Sequence, residues 1–204
     1  ARIIEEFEAR EVAVLVGTQM VTKGLDFGNV GLVGIMNADT LLNFPHFRAH
    51  ERCFQLLTQV AGRAGRKDFR GLVLIQSFNP YHQILKQVST GDYSGMYQEQ
   101  LYEREQFRYP PVVRLIKITL RHREWNRVEE AAAWFARSMR LVFDKHVLGP
   151  EYPPVARIRN QYHKQILLKV PGGQSLPQTK NSIKRIEQSF NAISKYRSIR
   201  LIYN

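Results

Sequence analysis

Three short apolar runs, at residues 12–16, 32–36 and 71–77, constrain the possible folds more than any other feature of this sequence. The first two runs are too short for helices and predict strands that are buried on both faces of a parallel sheet, and the third predicts a further strand. Helices are predicted before the first run, from residue 3 to about 10, and before the third, from about 48 to 61. Strands that alternate with helices predict a parallel α/β sheet.

A change of rhythm predicts a domain boundary near residue 111. A helical region from residue 80 to about 108, with a break at 90–92, stops at Tyr109-Pro110-Pro111. Proline cannot donate a backbone hydrogen bond and restricts the residue before it. We therefore expect residues 1–78 to form the α/β region, residues 79–111 to form connecting helices, and residues 112–204 to form a smaller α+β domain.

The second half predicts elements in the order β-α-β-β-α-β. Strands are expected at residues 113–120, 155–160, 165–170 and 199–203, with 161–164 joining the middle two and 148–150 breaking the chain. Helices are expected from an Asn126–Glu129 capping pair to about residue 146, and from residue 177 to 195. This order is typical of a split βαβ, ferredoxin-like sandwich.

The charge is divided unequally between the two halves. Residues 1–111 contain 12 lysines and arginines and 12 aspartates and glutamates, whereas residues 112–204 contain 18 and 6. The whole net charge of +12 therefore lies in the second half, which predicts contact with a polyanion; a solvated basic surface is the alternative. With a single cysteine, Cys53, and neither a membrane-length apolar run nor a signal peptide, we expect a cytoplasmic protein without membrane contact.

Residues 59–66 (Gln-Val-Ala-Gly-Arg-Ala-Gly-Arg) are the strongest candidate functional motif. Arg63 and Arg66 are three residues apart, so on one helix face both guanidinium groups would point at one ligand. Gly62 and Gly65 each cost a helix roughly 1 kcal/mol relative to alanine, and they leave room for another surface. Guanidinium groups that neutralise a transferring phosphoryl group act as arginine fingers. The alternative is a helix C-terminus with cations near the negative end of its dipole.

A polar loop, residues 17–27, follows the first apolar run at the edge where open α/β sheets bind ligands. This loop resembles motif V of superfamily 2 helicases, and residues 59–66 resemble motif VI. Residues 16–24, 37–52 and 103–111 are similar to the PriA-type primosomal replication-restart helicases. The resemblance covers essentially the whole chain and implies the end of a second RecA-like lobe, a connecting helix, and a C-terminal domain similar to the ribosomal S10-like fold.

The resemblance implies roles for individual residues at a nucleotide. Arg63 and Arg66 would reach the γ-phosphate of ATP, with Gln59 assisting, while Asp26 would lie near the ribose or relay to motif VI, and Gly24 belongs to the same nucleotide-binding loop. Neither a Walker A loop nor a Walker B pair nor a zinc-binding cysteine cluster occurs in the sequence, and in the family these lie upstream. The resemblance thus implies ATP and Mg²⁺ held mainly by another lobe, Zn²⁺ only in the full-length protein, and a fragment that is inactive alone.

The resemblance also implies that Gly17, Thr18 and Gln19 hydrogen-bond to a DNA phosphate, and that Lys23 does so too or is simply solvated. His46 and His50 have the spacing of one helix face, but no third ligand is near, so we expect solvated histidines and no metal site. We expect Glu51 to pair with Arg48 or Arg52.

The basic half carries further candidates for DNA binding. Cations flank the predicted hairpin and occupy the second predicted helix: Arg157, Arg159, Lys164, Lys180, Lys184 and Arg185. Arg121 and Arg123 extend this patch. Tyr152, Tyr162 and Tyr196 lie among these cations, and the combination suits phosphate contacts and base stacking on single-stranded or forked DNA. The helical spacing instead places the following residues in the core: Trp134, Phe135, Ile183, Ile186, Phe190 and Ile193.

The resemblance implies part of an ATP-dependent, 3′-to-5′ DNA helicase that acts on stalled or forked DNA and restarts replication by primosome assembly. It implies contacts with single-stranded-DNA-binding protein and other primosome proteins, and we expect a monomer. Two alternatives remain. Another superfamily 2 DNA or RNA translocase is disfavoured by residues 37–52 and Tyr109-Pro110-Pro111. A non-catalytic nucleic-acid-binding adaptor is disfavoured by the intact motif at 59–66.

Overall fold

The computed structural model describes residues 2–18, 30–65 and 71–204. The chain divides into two compact units, Ala1–Leu101 and Tyr102–Asn204. The elements of the first part are α1 (Arg2–Glu8), β1 (Leu32–Ile35), α2 (Asp39–Leu42), α3 (Ala49–Ala61), β2 (Leu72–Ile75), α4 (Gln83–Thr90) and α5 (Tyr93–Gln106). The elements of the second part are β3 (Val113–His122), α6 (Trp125–Phe143), β4 (Val147–Glu151), β5 (Arg157–Ile158), β6 (Gln161–Pro171), α7 (Leu176–Ala192) and β7 (Arg200–Tyr203).

The parallel sheet predicted for the first unit is confirmed for two strands. β1 and β2 pair in parallel, from Leu32 opposite Leu72 to Ile35 opposite Ile75. Both strands alternate between exposed and half-buried residues, so the expectation of burial on both faces is wrong for β1. Among the described residues the strands are covered on one face, where Ile35 and Ile75 pack against a core formed by α3, α4 and α5.

The strand predicted at residues 12–16 is not formed. This segment is irregular, and Val14 and Val16 are 71% and 86% exposed. An apolar run becomes a buried strand only when a neighbouring strand satisfies its backbone and other elements cover its side chains. Within the described residues β1 and β2 pair only with each other, so the run at 12–16 lacks both conditions.

The helices of the first part agree with the sequence pattern. α3 buries Ala49, Cys53 and Leu57, which recur at four-residue spacing on one face. The predicted break at 90–92 occurs at Gly91, which caps α4 in the left-handed conformation with φ +67°. The next helix then begins, where the carboxylate of Asp92 accepts a hydrogen bond from the N–H of Gly95 at 2.8 Å.

An antiparallel sheet forms the second unit, with strands in the order β4-β6-β3-β7 and with the short β5 paired to β6. Apart from the short β5, the strands and helices follow the order β-α-β-β-α-β, but the second strand of this order is β4, and the strand predicted at 155–160 forms only at Arg157–Ile158. Alternate residues of β3 and β6 face α6 and α7, which together make the core. The predicted core residues are confirmed, because Phe135 and Phe190 are fully buried and Trp134 packs against them.

Helix α6 begins at Trp125 with Glu124 at the N-cap, so the predicted Asn126–Glu129 capping pair is wrong. Asn126 lies inside the helix. Glu129 does not turn back to the helix start, because its carboxylate accepts hydrogen bonds from Lys164 of β6 and from Tyr152, the residue after β4.

Two further expectations for the second unit are corrected by the sheet. Residues 148–150 lie inside β4 and do not break the chain; Pro150 is tolerated because β4 is an edge strand with a register shift between Leu148 and Glu151. The predicted joint at 161–164 lies within β6, and the chain turns at Arg159-Asn160. Short strands with turn-like residues mislead sequence patterns, because pairing with a long neighbour such as β6 decides their conformation.

Candidate nucleotide-facing turn and nucleic-acid surface

The turn after α3 carries the first set of predicted site residues. α3 ends before Gly62, which takes the C-cap position. Arg63 therefore lies beyond the helix, which corrects the expectation that it shares a helix face with Arg66. Gln59, in the last turn of α3, is exposed, Arg63 is half-buried, and Arg66 lies outside the described residues. Gln59 thus belongs to the last turn of α3, and Arg63 follows beyond the end of this helix.

Two close backbone approaches fix this turn beside the starts of β1 and β2. The N–H of Gly65 donates to the carbonyl of Val30 at 3.1 Å, two residues before β1. Gly71, immediately before β2, passes so close to Ala64 and Gly65 that a Cβ at its position would overlap their backbone. Glycine at 71 is therefore required by space. Anchoring of this kind holds the turn, with Arg63 in it, at a defined position.

Most residues of the predicted loop at 17–27 lie outside the part of the chain that the structure describes. Gly17 and Thr18 are exposed in an irregular segment, whereas Gln19, Lys23, Gly24 and Asp26 lie outside the described residues. The roles of these six residues toward DNA and nucleotide stay predictions.

Asp39 joins the carboxyl ends of β1 and β2, and sequence reasoning assigned it no role. Its two oxygens accept hydrogen bonds from the Ser77 hydroxyl at 2.9 Å and from the N–H of Phe78 at 3.0 Å. The N–H of Phe78 does most to lower the pKa of Asp39; burial opposes it and Ser77 assists it. Burial, and then the charge of Asp39, raises the pKa of the Cys53 thiol to about 11, so Cys53 is protonated and unreactive at neutral pH. The position of Asp39 just after a strand was the available sequence signal.

The histidines of the first unit are used in local contacts. Nδ1 of His46 accepts a hydrogen bond from the N–H of Arg48 at 3.1 Å, and Nδ1 of His50 lies 3.4 Å from Nε2 of Gln100. Within residues 2–18, 30–65 and 71–204, no three His, Cys, Asp or Glu side chains are grouped to hold a metal ion. Glu51 pairs with Arg48 at 2.9 Å, which confirms its predicted structural role.

The hairpin of β5 and β6 presents two of the predicted DNA-binding arginines. Arg157 lies opposite Tyr162, so the turn consists of only Arg159 and Asn160. Both turn residues have positive φ, +47° and +59°, the combination that defines a type I′ hairpin turn. The Arg157 guanidinium lies 5.1 Å from the centre of the Tyr162 ring and donates to the side chain of Asn160. Arg157 is thus held against the hairpin, and Arg159 is exposed at its tip.

Lys164 has a different environment from the other predicted cations. It is buried, with Nζ 2.6 Å from a carboxylate oxygen of Glu129 and 4.3 Å from the centre of the Tyr152 ring. The Tyr152 hydroxyl donates to the same carboxylate at 2.6 Å. Burial acts to raise the pKa of Glu129, but the hydrogen bonds from Lys164 and Tyr152 outweigh it and the pKa is lowered. The ammonium charge is therefore neutralised inside the domain.

The cations of α7 lie on its exposed face. Lys184 and Arg185 are both exposed, as is Lys180 one turn earlier. Lys180 and Lys184, together with Arg114 of β3, line a pocket of about 550 Å³ with apolar walls. Arg185 is exposed but does not line this pocket.

Half of the acidic residues between 112 and 204 are engaged in ion pairs. Glu124 pairs with Arg127 at 2.9 Å and Glu130 with Lys195 at 2.8 Å, in addition to the buried pair of Lys164. Three of the 6 acids are thus neutralised by three of the 18 lysines and arginines, and the remaining cations give the second unit a strongly positive surface. In the part of the chain that is described, no helix has the length and apolar character to cross a membrane.

Comparison with known proteins assigns each part of the chain to a domain family. The helicase conserved C-terminal domain matches residues 1–68, and the primosomal protein N C-terminal domain matches residues 105–201.

Three similar proteins are each described as replication restart protein PriA. The Bacillus subtilis protein is 40% identical over 170 residues, which are 82% of this chain and 21% of the relative. The Synechocystis protein is 40% identical over 171 residues, 83% of this chain and 21% of the relative. The Treponema pallidum protein is 42% identical over 170 residues, 82% of this chain and 26% of the relative. The chain thus spans about a fifth to a quarter of the length of these relatives, and it belongs to the PriA family of replication restart proteins.

Proposed function

We propose that this chain is part of an ATP-dependent superfamily 2 DNA helicase that moves 3′ to 5′, acts on stalled or forked DNA and restarts replication by primosome assembly. In this proposal the first unit is the end of the second RecA-like lobe. The second unit is a DNA-binding domain of ferredoxin-like, ribosomal S10-like topology. The partners of the whole protein are forked or single-stranded DNA, single-stranded-DNA-binding protein and other primosome proteins.

The observation that carries the proposal is the match between charge and domain family. The net charge is zero over residues 1–111 and +12 over residues 112–204, and the latter nearly coincide with the match to the primosomal C-terminal domain. A domain that binds the polyanionic DNA backbone gains affinity from such an excess of lysine and arginine. A motor lobe that meets one nucleotide and a few phosphates does not need it.

The turn after α3 supports the nucleotide part of the proposal. Arg63 lies in a turn anchored at Gly65 and Gly71, and Gln59 is exposed on the adjoining helix end. Both side chains therefore suit a phosphate that another lobe presents, and Arg66 belongs to the same proposed set. These donors fit the γ-phosphate but not a complete ATP site, because the sequence lacks a phosphate loop and a magnesium-binding Asp-Glu pair. ATP and Mg²⁺ are held mainly by another lobe.

The DNA surface proposed here is centred on four residues of the sequence-based set and excludes one because of its environment. Arg157, Arg159, Lys184 and Arg185 remain in it, whereas we omit Lys164, whose charge is neutralised by Glu129 in the interior. Gly17, Thr18, Gln19 and Lys23 keep their proposed contacts with a strand in the motor lobe.

The DNA part of the proposal is tested by a salt titration of the purified chain with a fluorescent fork. If the four retained cations each neutralise one phosphate, the logarithm of the affinity falls against the logarithm of salt concentration with a slope of about −3.6 on duplex arms. Arg159→Gln is expected to weaken binding, and Arg137→Gln, an exposed arginine of α6 with the same charge change, serves as the matched control. A slope shallower than about −1 contradicts a phosphate-binding surface.

The nucleotide part has an independent test. The 204-residue chain is expected to show no DNA-stimulated ATP hydrolysis by itself, and activity above a no-protein blank contradicts the division of labour proposed here. In a complete PriA-type protein that contains this sequence, Arg63→Gln is expected to abolish ATP hydrolysis while DNA affinity is retained.

A further inference from the structure

Two arginines face each other across one end of the second sheet, beside a histidine. Arg121 of β3 lies opposite Arg200 of β7 on one side and opposite His163 of β6 on the other. Residues that are paired directly across antiparallel strands share a face, with Cβ atoms roughly 4.5–5.5 Å apart. The adjacent pair, Leu120 and Leu201, packs toward α6 and α7. Alternation along the strands therefore places Arg121 and Arg200 on the opposite face, away from the helices.

This arrangement of charges lowers the stability of the second unit, and the described residues around it do not offset the loss. Like charges directly opposite each other destabilise a sheet. Nε of Arg121 is buried, and no residue in the described part of the chain offers it a hydrogen bond. The pKa of His163 lies below its ordinary value, first because of burial and second because of the charge of Arg121. A repulsive, unsatisfied cluster in an otherwise well-packed domain is expected where a ligand completes the interactions.

A pocket of about 350 Å³ opens at this end of the sheet and collects four arginines. We call it the arginine pocket, and its polar lining residues are Arg121, His122, Arg123, Gln161, Arg197, Ser198 and Arg200. All its lining residues belong to the described part of the chain, and none of them is acidic. Its volume is near the lower end of the range of small-ligand pockets.

The described residues around the arginine pocket fix the position of its walls, and the acid nearest to it in the sequence is already engaged in an ion pair. Glu124, the next acid along the chain from Arg123, is already paired with Arg127 at 2.9 Å. The Arg127 guanidinium also lies 3.5 Å from the hydroxyl of Ser198, which fastens one wall of the pocket to the first turn of α6. The next residue, Ile199, is buried in the core. The guanidinium groups are therefore carried by a fixed backbone, and among the described residues none of them forms an ion pair with a carboxylate.

We propose that the arginine pocket binds a backbone phosphate of a DNA strand that runs along the β5–β6 hairpin. Guanidinium groups bind phosphate through paired, charge-assisted hydrogen bonds. A phosphate in the pocket therefore supplies the negative charge and the hydrogen-bond acceptors that the described residues do not offer to Arg121 and Arg200. The proposal rests on the DNA-binding role proposed for the second unit and names one site within it.

The position of the pocket favours a polymer over a free phosphate or nucleotide, which offer the same chemistry. Gln161, the first residue of β6, lines the pocket and also follows the hairpin turn directly. Positive charge therefore continues from the pocket to Arg159 at the hairpin tip, two residues before Gln161, whereas Arg157 is in line with Tyr162 and His122 on the other face from Arg121. A DNA strand presents regularly spaced phosphates to such a track, whereas a single phosphate uses the pocket alone.

The test uses the full 204-residue chain with the paired substitution Arg121→Gln/Arg200→Gln, and Arg137→Gln, which removes one exposed charge of α6 outside the pocket, as the control. At low salt the paired variant is expected to bind a fluorescent fork about tenfold to a hundredfold more weakly. Its salt slope is expected to fall by between about 1 and 2, because two phosphate-directed charges are removed. Its unfolding midpoint is expected to stay the same or rise, since a repulsive pair is removed; a structural role would lower it.

Nuclear magnetic resonance titration of His163 in the unsubstituted chain gives a second measurement that needs no variant. A short DNA strand in the pocket is expected to raise the pKa of His163 by supplying a nearby anion, and inorganic phosphate or ATP at the same micromolar concentration is expected not to. An equal rise with inorganic phosphate or ATP overturns the assignment to DNA. If the chain binds DNA but the paired variant matches Arg137→Gln, the pocket is overturned and the basic domain stands. If the chain binds no DNA, both fail.

Discussion

The buried ion pair between Glu129 and Lys164 gives the sharpest test of what stabilises the second unit. Glu129→Ala removes the carboxylate that holds the Lys164 ammonium and the Tyr152 hydroxyl, each at 2.6 Å. The side chain of Lys164 is 10% exposed and that of Glu129 is 29% exposed. The ammonium is thus left in a mostly buried place, faced by the Tyr152 ring alone. Alanine is the best helix former, so the backbone of α6 is not weakened.

The expected loss follows from these exposures. Removing one partner of a fully buried ion pair costs about 3–5 kcal/mol, and a cation–π contact of about 0.5–1 kcal/mol remains. Allowing also for the partial exposure of Glu129, Glu129→Ala is expected to lower the free energy of unfolding by roughly 2–4 kcal/mol. The matched control is Glu130→Ala, which breaks the pair with Lys195 one residue further along α6. Those side chains are 60% and 59% exposed, so the control is expected to have no measurable effect.

Urea unfolding followed by tryptophan fluorescence is the assay, because the only two tryptophans, Trp125 and Trp134, lie in the second unit. Adding Lys164→Met to Glu129→Ala is expected to recover at least half of the loss, since it removes the unpaired buried charge. Equal losses in Glu129→Ala and Glu130→Ala, or no recovery with Lys164→Met, would refute this reasoning.

The same pair has a pH dependence with a defined sign. The pKa of Glu129 in the folded protein is below its ordinary value of 4.5, so its stabilising contribution is present above that value. The contribution is lost as the pH falls through the folded pKa. In acid, the free energy of unfolding of the unsubstituted protein is therefore expected to approach that of Glu129→Ala. A difference in this free energy that stays constant from pH 7 down to about pH 2 contradicts the assigned pairing.

Three other predictions concern the core, the hairpin and the first unit. Phe135→Ala is expected to cost about 3–5 kcal/mol in the tryptophan-monitored unfolding, because this fully buried ring lies between the sheet and α7. Arg159→Gly relieves a positive φ and is expected to stabilise the second unit by a few tenths to about 1 kcal/mol while weakening DNA binding. Gly71→Ala is expected to speed thiol labelling of the buried Cys53, whereas Gly34→Ala, whose Cβ meets nothing within 4 Å, leaves the rate unchanged.

The elements that could be predicted are those whose conformation is decided by residues close together in the sequence. α3 and α7 were predicted to within a few residues, because helical periodicity and capping are encoded within one or two turns. The apolar run at 12–16 has the composition of a buried strand and forms none, because a strand exists only with a partner. β4 was missed for the converse reason, since β6 pairs with a segment whose Gly149-Pro150 reads as a break.

The candidate sites divide in the same way. The motif at 59–66 and the charge excess after residue 111 were visible in the sequence, since both are properties of residue identity and spacing. The burial of Lys164 was not, because the partner that neutralises it lies 35 positions away on α6. The arginine pocket was equally hidden, since β7 brings Arg200 beside Arg121 only after the sheet has formed.

The sequence by itself therefore determined the family, the types of most elements and the sign of the charge in each half, because these depend on local pattern and composition. The tertiary structure decided which cations remain available to a ligand. Lys164 is buried in an ion pair with Glu129 and is not available. Arg121 and Arg200 lie directly opposite each other on neighbouring strands, with no acidic residue between them. The physical reason is that the free energy of a charge depends on its solvation and its neighbours, and chain folding sets both.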